Sequence, residues 1–519
     1  MSSTLGNFDA LDRAKPLRTD TLADSVLVLL ALTAFHRAVG FCRALLFCRW
    51  LEPEQLGQWD MALGFLLLAA PVSVLALSGA FPRYAEHYRQ RRQLRTLLKR
   101  TALACAGLSV LAVAALHLAS GWFSQLIFGT PDRTDLVAVL AGSLVGTIAL
   151  NYFIDLFSAL RNVRLIAGLH LVNSLAFAAL SISLLLGWEC TAVSVVIAYG
   201  GACGLAAIAG TCWLMRNWQS LPGDAEPPPH RDLWSKLLPY AAWVWATSIL
   251  ANLFVIADRY MILHQSPGPA SEALAQVGEY HSSRVLPLLV VSIAVMLNSI
   301  ITAHLSHDWE AGRRDRVAKQ LNLLLKLFGF AFSAAGVVIL LAAPLLFAEF
   351  FEGRFAGGLA VLPWTLTYCL WFAMMTLAQN YMLCSEKAHL ASMALLGGLI
   401  VNVGLNFLLL PRLGLLGAVL ATAAANLVAL VLVAAFNRRL GFRMDLGTCV
   451  VLAVPLVFCL GPWVTLAVLS LILLEAIHSD RLLSGDEKRD LTEGLAQYWQ
   501  RFRHLPAAWK SAGGIPESR

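Results

Sequence analysis

Long apolar runs separated by short polar segments make up most of the chain. Each run holds about 20 or more residues with few charges, the length that an α-helix needs to cross the hydrocarbon core of a bilayer. A last apolar stretch, 446–478, is broken by Gly461-Pro462 and is interpreted as a hairpin of two short helices. The twelve runs before it predict membrane-spanning helices over residues 22–48, 60–80, 101–128, 135–160, 165–186, 190–214, 237–258, 283–305, 321–347, 358–384, 388–410 and 414–436.

The composition agrees with a membrane protein and excludes several other classes. Hydrophobic residues make up 58% of the 519 residues and charged residues 14%, against about 45–50% and about 25% in soluble proteins. The ten cysteines lie in or beside apolar runs and form no C-x-x-C pair, so neither a metal nor a redox site is predicted. The net charge of +7 is scattered over short loops, which argues against a nucleic-acid partner. The first run is too long for a cleaved signal peptide and is interpreted as a retained helix.

Basic residues alternate strongly between successive loops, which predicts the orientation. With the N-terminus inside, the inside loops carry twenty-three Lys or Arg and the outside loops six. Seven of the inside residues lie between Arg83 and Arg100. Because basic loops stay in the cytoplasm, both termini are predicted to be cytoplasmic, in a bacterial inner membrane.

A polar linker with Pro227-Pro228-Pro229 lies between the sixth and seventh helices, where a chain of two six-helix halves needs one. Short similarities support a duplication, such as the proline- and glycine-containing turns before the second and eighth helices. The predicted fold is therefore all-α, with two six-helix bundles related by a pseudo-two-fold axis around a central cavity. The predicted segments are an N-terminus at 1–21, an N-lobe at 22–214, a linker at 215–236, a C-lobe at 237–436, a hairpin at 446–478 and a cytoplasmic tail at 479–519.

Several motifs over residues 22–440 resemble bacterial polysaccharide flippases of the multidrug/oligosaccharidyl-lipid/polysaccharide exporter superfamily. That family has an Arg-x-x-Gly-Phe run in its first helix, here Arg37 to Phe41, followed by a turn matched here from Arg49 to Trp59, with Glu52 in place of the usual glycine. The resemblance implies two six-helix bundles with alternating access. Further matches are Asp258-Arg259-Tyr260, Gly278-Glu279-Tyr280, His304 to Arg313, and Gly414 to Thr422.

The charged residues inside the first helix are the first candidates for a binding site. A charge at the bilayer centre costs about 2.5–3.5 kcal/mol on insertion scales, so it needs water, a partner or a ligand. Arg37 is predicted to face a wet cavity and a phosphate, or alternatively to form a packing ion pair, for example with Asp155. Arg43 is a second candidate, although six residues place it about 120° from Arg37 around the helix, so the two are not expected to point squarely into one cavity.

Polar residues in the fourth and eighth helices complete the candidate set. Asn151 and Asp155 share one face of the fourth helix, where Asp155 is interpreted as an ion-coupling residue, a sugar acceptor or an arginine partner. Arg284 and Asn298 are fourteen residues apart in the eighth helix and are predicted to line one cavity wall. The alternative for that pair is an interfacial arginine with a packing asparagine. Asp258 and its neighbour Arg259 are interpreted as an interfacial pair that steadies a loop.

The leading functional hypothesis is a flippase for oligosaccharide linked to an undecaprenyl-pyrophosphate type of carrier, working in surface polysaccharide biosynthesis. No phosphate-binding G-x-x-x-x-G-K-[ST] run, catalytic motif or large soluble domain is present, so no catalytic residue, metal or cofactor is predicted. The alternatives are a multidrug or peptidoglycan-precursor exporter and, in a different class, a membrane-embedded polysaccharide polymerase or ligase. The expected partners are the lipid-linked oligosaccharide, membrane lipids and polysaccharide polymerase machinery.

Overall fold

The computed structural model describes residues 22–223, 228–489 and 492–493. The predicted N-terminal segment 1–21 and most of the predicted tail lie outside these ranges. Within them the chain forms helices and no strand, and twelve helices are long and apolar enough to cross a membrane. These are α1 (Leu22–Trp50), α2 (Pro53–Ser73), α3 (Leu94–Leu118), α4 (Thr134–Ala159), α5 (Val163–Gly187), α6 (Ala192–Asn217), α7 (His230–Gln265), α8 (Ala270–Glu310), α9 (Arg314–Leu345), α10 (Ala356–Ala378), α11 (Ala388–Leu413) and α12 (Leu415–Arg439).

Five of these helices, α2, α3, α7, α8 and α9, begin seven or more residues before the apolar runs that predicted them. Helix α2 begins at Pro53 and α8 follows Pro269, because a proline has no N–H to lose and its fixed φ suits the first turn of a helix. At about 1.5 Å per residue, the 41 residues of α8 span about 60 Å, twice the roughly 30 Å of a hydrocarbon core. Polar residues before the apolar runs therefore continue the same helices.

Helices in the N-terminal half (α1–α6) and the C-terminal half (α7–α12) pack in the same pairs. The contacts of α4 with α6, α5 with α6, α1 with α5 and α3 with α4 recur as α10 with α12, α11 with α12, α7 with α11 and α9 with α10. Between the halves, α2 packs on α8, and the contact of α1 with α8 recurs as that of α7 with α2. A pseudo-two-fold axis would produce this repetition, which supports the duplication proposed from the sequence.

Helices α2 and α8 form the main seam between the halves, and two glycines make it possible. A Cβ on Gly57 would collide with the carbonyl oxygen of Leu274, and one on Gly278 would collide with that of Pro53. Because neither glycine has a side chain, the two backbones approach directly, as small residues allow in membrane helix pairs. The seam lies at the predicted outer side of the protein.

The last apolar stretch forms two short helices rather than one span. Helix α13 (Leu446–Ala453) continues as a 3₁₀ turn to Leu460, Gly461 takes a φ of 98°, and α14 (Pro462–His478) follows. Lys326 of α9 contacts both ends of this unit, since its Nζ lies 2.6 Å from Asp445 and 2.9 Å from Glu487. The chain therefore returns to the side from which it entered, as the predicted hairpin requires.

Candidate functional site

A cationic pocket lies between the two halves of the protein. It has a volume of about 240 Å³, and its walls are contributed by α1 and α8. Helix α1 contributes His36, Arg37 and Arg43, and α8 contributes His281 and Ser292. Among the described residues, no carboxylate lies within ion-pair distance of either arginine.

Both arginines of α1 line this pocket, so the expectation that their 120° separation would keep them out of one cavity is wrong. Gly40 lies between them in the pocket wall. The guanidinium of Arg43 reaches back along the helix to Gly40, where a built Cβ would lie 3.8 Å from its Nη2, so the length of the side chain, rather than its starting direction, decides where the charge lies. The guanidinium carbon of Arg43 also lies 4.0 Å from the centre of the Phe177 ring in α5, in cation–π contact.

His36 adds an unsatisfied polar atom to the pocket. Its ring lies 5.7 Å from that of His170, and its buried Nδ1 has no hydrogen-bond partner among the described residues. A buried polar nitrogen without a partner costs about 1–3 kcal/mol. Together with two arginines that have no carboxylate partner in the described part of the chain, it makes this wall suited to an anionic ligand with several acceptor oxygens.

A buried ion cluster lies directly beside the pocket and joins α2 to α7 and α8. Asp60 of α2 is 1% exposed. Its carboxylate lies 3.1 Å from Nε of Arg259, 3.2 Å from Nη2 of Arg284 and 2.9 Å from Nδ1 of His281. His281 belongs to both features, because it also lines the cationic pocket.

The cluster continues into the C-terminal half through hydrogen bonds. Asp258 accepts a short hydrogen bond from the hydroxyl of Tyr280 and a longer one of 3.4 Å from Thr422. The Tyr280 hydroxyl also lies 2.8 Å from that of Tyr368 in α10. Asp258 and Arg259 are 4% and 7% exposed, so the interpretation of this pair as interfacial is wrong. Two carboxylates and two guanidiniums balance one another in this buried network.

Asn151 and Asp155 lie in a second, smaller pocket between the halves. Its volume is about 210 Å³, and it is lined by the end of α2, by α4, and by Val244 and Ser248 of α7. Ser78 donates a hydrogen bond of 2.6 Å to Oδ2 of Asp155. The suggested ion pair between Asp155 and an arginine of α1 does not form in the described part of the chain.

Arg284 and Asn298 do not form one cavity wall. Arg284 is 5% exposed and faces Asp60, so it does not line the cationic pocket. Asn298 accepts a hydrogen bond of 2.6 Å from Nδ2 of Asn380, whose Oδ1 accepts one of 2.6 Å from Thr302. The structure therefore places Asn298 in a helix-packing contact, which is the alternative that the sequence analysis gave for this residue.

The sequence analysis missed Asp60 and His281, the residues that connect the pocket to the seam. Asp60 is the first residue of the apolar run 60–80, and His281 lies two residues before the run 283–305, in a predicted loop. The prolines at residues 53 and 269 were the available signal, because they mark where the two helices begin. Reading helix starts from these prolines would have placed Asp60 about two turns inside α2.

Comparisons with known proteins give one matching family and several similar folds. Residues 22–305 match the family described as "Polysaccharide biosynthesis protein". The fold is similar to the lipid II flippase MurJ in an inward closed conformation, with 13% identity, a TM-score of 0.64, and coverage of 87% of this chain and 98% of that one. No curated protein matches the sequence.

Two further solved structures from the same superfamily share the fold. A multidrug resistance MATE family transporter in an inward-facing conformation has 14% identity and a TM-score of 0.60, covering 80% of this chain and 97% of that one. A transporter from Pyrococcus furiosus, whose title describes reverse polarity of its binding pocket, has 12% identity and a TM-score of 0.57, covering 80% and 94%. At these identities the likeness concerns the fold alone.

Proposed function

Because the chain belongs to the polysaccharide biosynthesis protein family, with more than half of its residues matched, we propose that it is a flippase for oligosaccharide linked to a polyprenyl pyrophosphate. The cationic pocket between α1 and α8 is the observation that carries this proposal. The pocket would hold the pyrophosphate, and the carrier's hydrocarbon tail would stay in the lipid. The membrane would be a bacterial inner membrane with both termini in the cytoplasm, and the polymerase machinery would use the translocated product.

The electrostatics of the pocket favour an anionic head group. Arg37 and Arg43 would each be costly in a membrane without water or a counter-charge. A guanidinium presents a planar fork of donors that matches two phosphate oxygens at once, and two guanidiniums with His36 can serve both phosphates of a pyrophosphate. An exporter of cationic drugs would need acidic groups in this position.

The position of the pocket suits translocation by alternating access. Its two walls belong to different halves of the chain, so a movement of one half against the other changes which side of the membrane the pocket faces. In this structure the α2–α8 seam and the Asp60 cluster close the predicted outer side. Opening that side would separate Asp60 from Arg259 and Arg284, and a bound head group would leave toward the outside.

A reconstitution experiment tests this proposal. The protein is placed in liposomes with a fluorescent polyprenyl-pyrophosphate sugar, and movement between leaflets is followed with a membrane-impermeant quencher. Arg37→Ala should slow flipping about tenfold or more, the loss expected for a charge-assisted hydrogen bond, and Arg37→Lys should lose less because it keeps the charge. Arg412, an exposed arginine at the end of α11, serves as the control in the Arg412→Ala variant.

The outcomes separate the candidate functions. Flipping by Arg37→Ala protein at the wild-type rate and at equal abundance would remove Arg37 from the substrate site. A glycan that is lengthened during the assay would favour a membrane-embedded polymerase over a flippase. An unaltered glycan that changes leaflet supports transport without covalent chemistry.

A further inference from the structure

A long apolar groove runs along the N-terminal half, away from the cationic pocket. Helix α4 packs against both α3 and α6, and the three enclose a volume of about 660 Å³. Its α3 wall extends from Leu98 to Val113, a length of about 22 Å at 1.5 Å per residue. That is about three quarters of a hydrocarbon core roughly 30 Å thick, so the groove can hold a lipid chain along most of its length.

The polar side chains in the groove are already satisfied by the backbone. Ser109 donates a hydrogen bond of 2.7 Å to the carbonyl of Cys105, and Thr211 donates one of 2.9 Å to that of Ala207. The hydroxyl of Tyr152 likewise donates to the carbonyl of Leu98 at 3.0 Å. Because these hydroxyl groups already donate hydrogen bonds to the backbone, the walls present a mainly apolar surface to a bound molecule.

One cation stands at the mouth of the groove. Lys99 lines it and is exposed, and its Nζ lies 5.7 Å from the centre of the Trp218 ring. No carboxylate of the described residues lies within ion-pair distance of it. The neighbouring Arg95 and Arg100 instead donate hydrogen bonds of 2.6 Å to backbone carbonyls in the segment after α6. A tryptophan beside a lysine at a helix end is typical of the level of lipid head groups.

We propose that this groove is a binding site for an anionic phospholipid of the leaflet at the Lys99 end, with an acyl chain along α3, α4 and α6 and the phosphate at Lys99. The carrier of the transported glycan fits less well, because the groove shares Ile148 with the pocket that contains Asp155. An anionic head advancing inward along the groove would approach a carboxylate, whereas one that stays at the mouth meets Lys99. The site is thus independent of the proposed transport function.

Native mass spectrometry of the purified full chain in detergent tests the site. The probes are phosphatidylglycerol and phosphatidylcholine with identical acyl chains, and a polyprenyl phosphate as competitor. Phosphatidylglycerol should bind more tightly than phosphatidylcholine. Lys99→Gln should weaken the binding of phosphatidylglycerol about fivefold, the contribution of one basic residue at a membrane surface. Ala106→Trp, which fills the groove, should weaken both phospholipids.

Matched controls make the result specific. Lys319→Gln changes an exposed lysine of α9, and Ala179→Trp adds the same bulk to an exposed alanine of α5; neither should alter binding. Unchanged phosphatidylglycerol affinity in Lys99→Gln or Ala106→Trp protein would overturn the proposal. Equal losses in the control variants would assign the binding to the general lipid shell, and displacement by the polyprenyl phosphate would assign the groove to the carrier; both outcomes count against the proposal.

Discussion

Replacement of Asp60 by asparagine is the sharpest test of how the two halves are held together. Asp60 carries the only carboxylate that the described structure places within ion-pair distance of Arg259 and Arg284, which are 7% and 5% exposed. Asp60→Asn keeps the shape of the side chain and removes its charge. Two guanidiniums are then left in a buried site with no anion within ion-pair distance. Removing one partner of a buried ion pair typically destabilises a protein by about 3–5 kcal/mol.

The loss can be measured by equilibrium unfolding in mixed micelles, followed by circular dichroism. We expect Asp60→Asn to lower the free energy of unfolding by about 3–5 kcal/mol. Asp132→Asn, at an exposed loop position, should stay within about 0.5 kcal/mol of the wild type. Arg284→Gln alone should cost less than Asp60→Asn, because Asp60 still faces Arg259 and His281.

A double-mutant cycle then isolates the pairwise interaction. In the Asp60→Asn/Arg284→Gln protein one of the two uncompensated charges is gone, so its stability should exceed the additive expectation by about 0.5–3 kcal/mol. If Asp60→Asn were as stable as Asp132→Asn, or if the two substitutions were additive, the cluster would not hold α2 against α8. The argument from buried charge would then be refuted.

Two further substitutions probe the packing of the halves and of the C-terminal hairpin. Gly278→Leu should lower stability by about 1–3 kcal/mol, the usual cost of overpacking, because its side chain would collide with the carbonyl of Pro53; the midpoint of thermal unfolding measures this. Lys326→Met leaves Asp445 and Glu487 without their cation. It should lower the free energy of unfolding by about 1–3 kcal/mol, and water around the partly exposed Asp445 keeps the loss within that range. Limited proteolysis should then cut the connection between α12 and α13 more rapidly.

Each of these substitutions has a control of the same chemistry. Gly404→Leu changes a helical glycine of α11 with open space where a Cβ would be, and Lys319→Met changes an exposed lysine on the same helix as Lys326. If Gly404→Leu were as damaging as Gly278→Leu, the effect would come from the substitution rather than from the seam. A cleavage rate of Lys326→Met protein equal to that of Lys319→Met protein would show that the hairpin does not depend on this contact.

The residues of the cationic pocket were only partly accessible to sequence reasoning. Arg37 was identifiable because a charge within an apolar run is costly wherever it points. That Arg43 shares its pocket depends on the length of its side chain, and helical angles alone argued against it. Arg284 was predicted to line a cavity wall or to be interfacial, and its partner Asp60 is 224 positions away in the chain.

The sequence by itself determined the membrane class, the twelve spans and the terminal hairpin, because the cost of placing polar groups in hydrocarbon acts on each segment separately. Contacts between segments decided the rest. The α2–α8 seam brings Asp60 to Arg259 and Arg284, and the pocket exists because α1 stands opposite α8. Such pairings depend on which helices approach one another, and local hydropathy carries no information about distant partners.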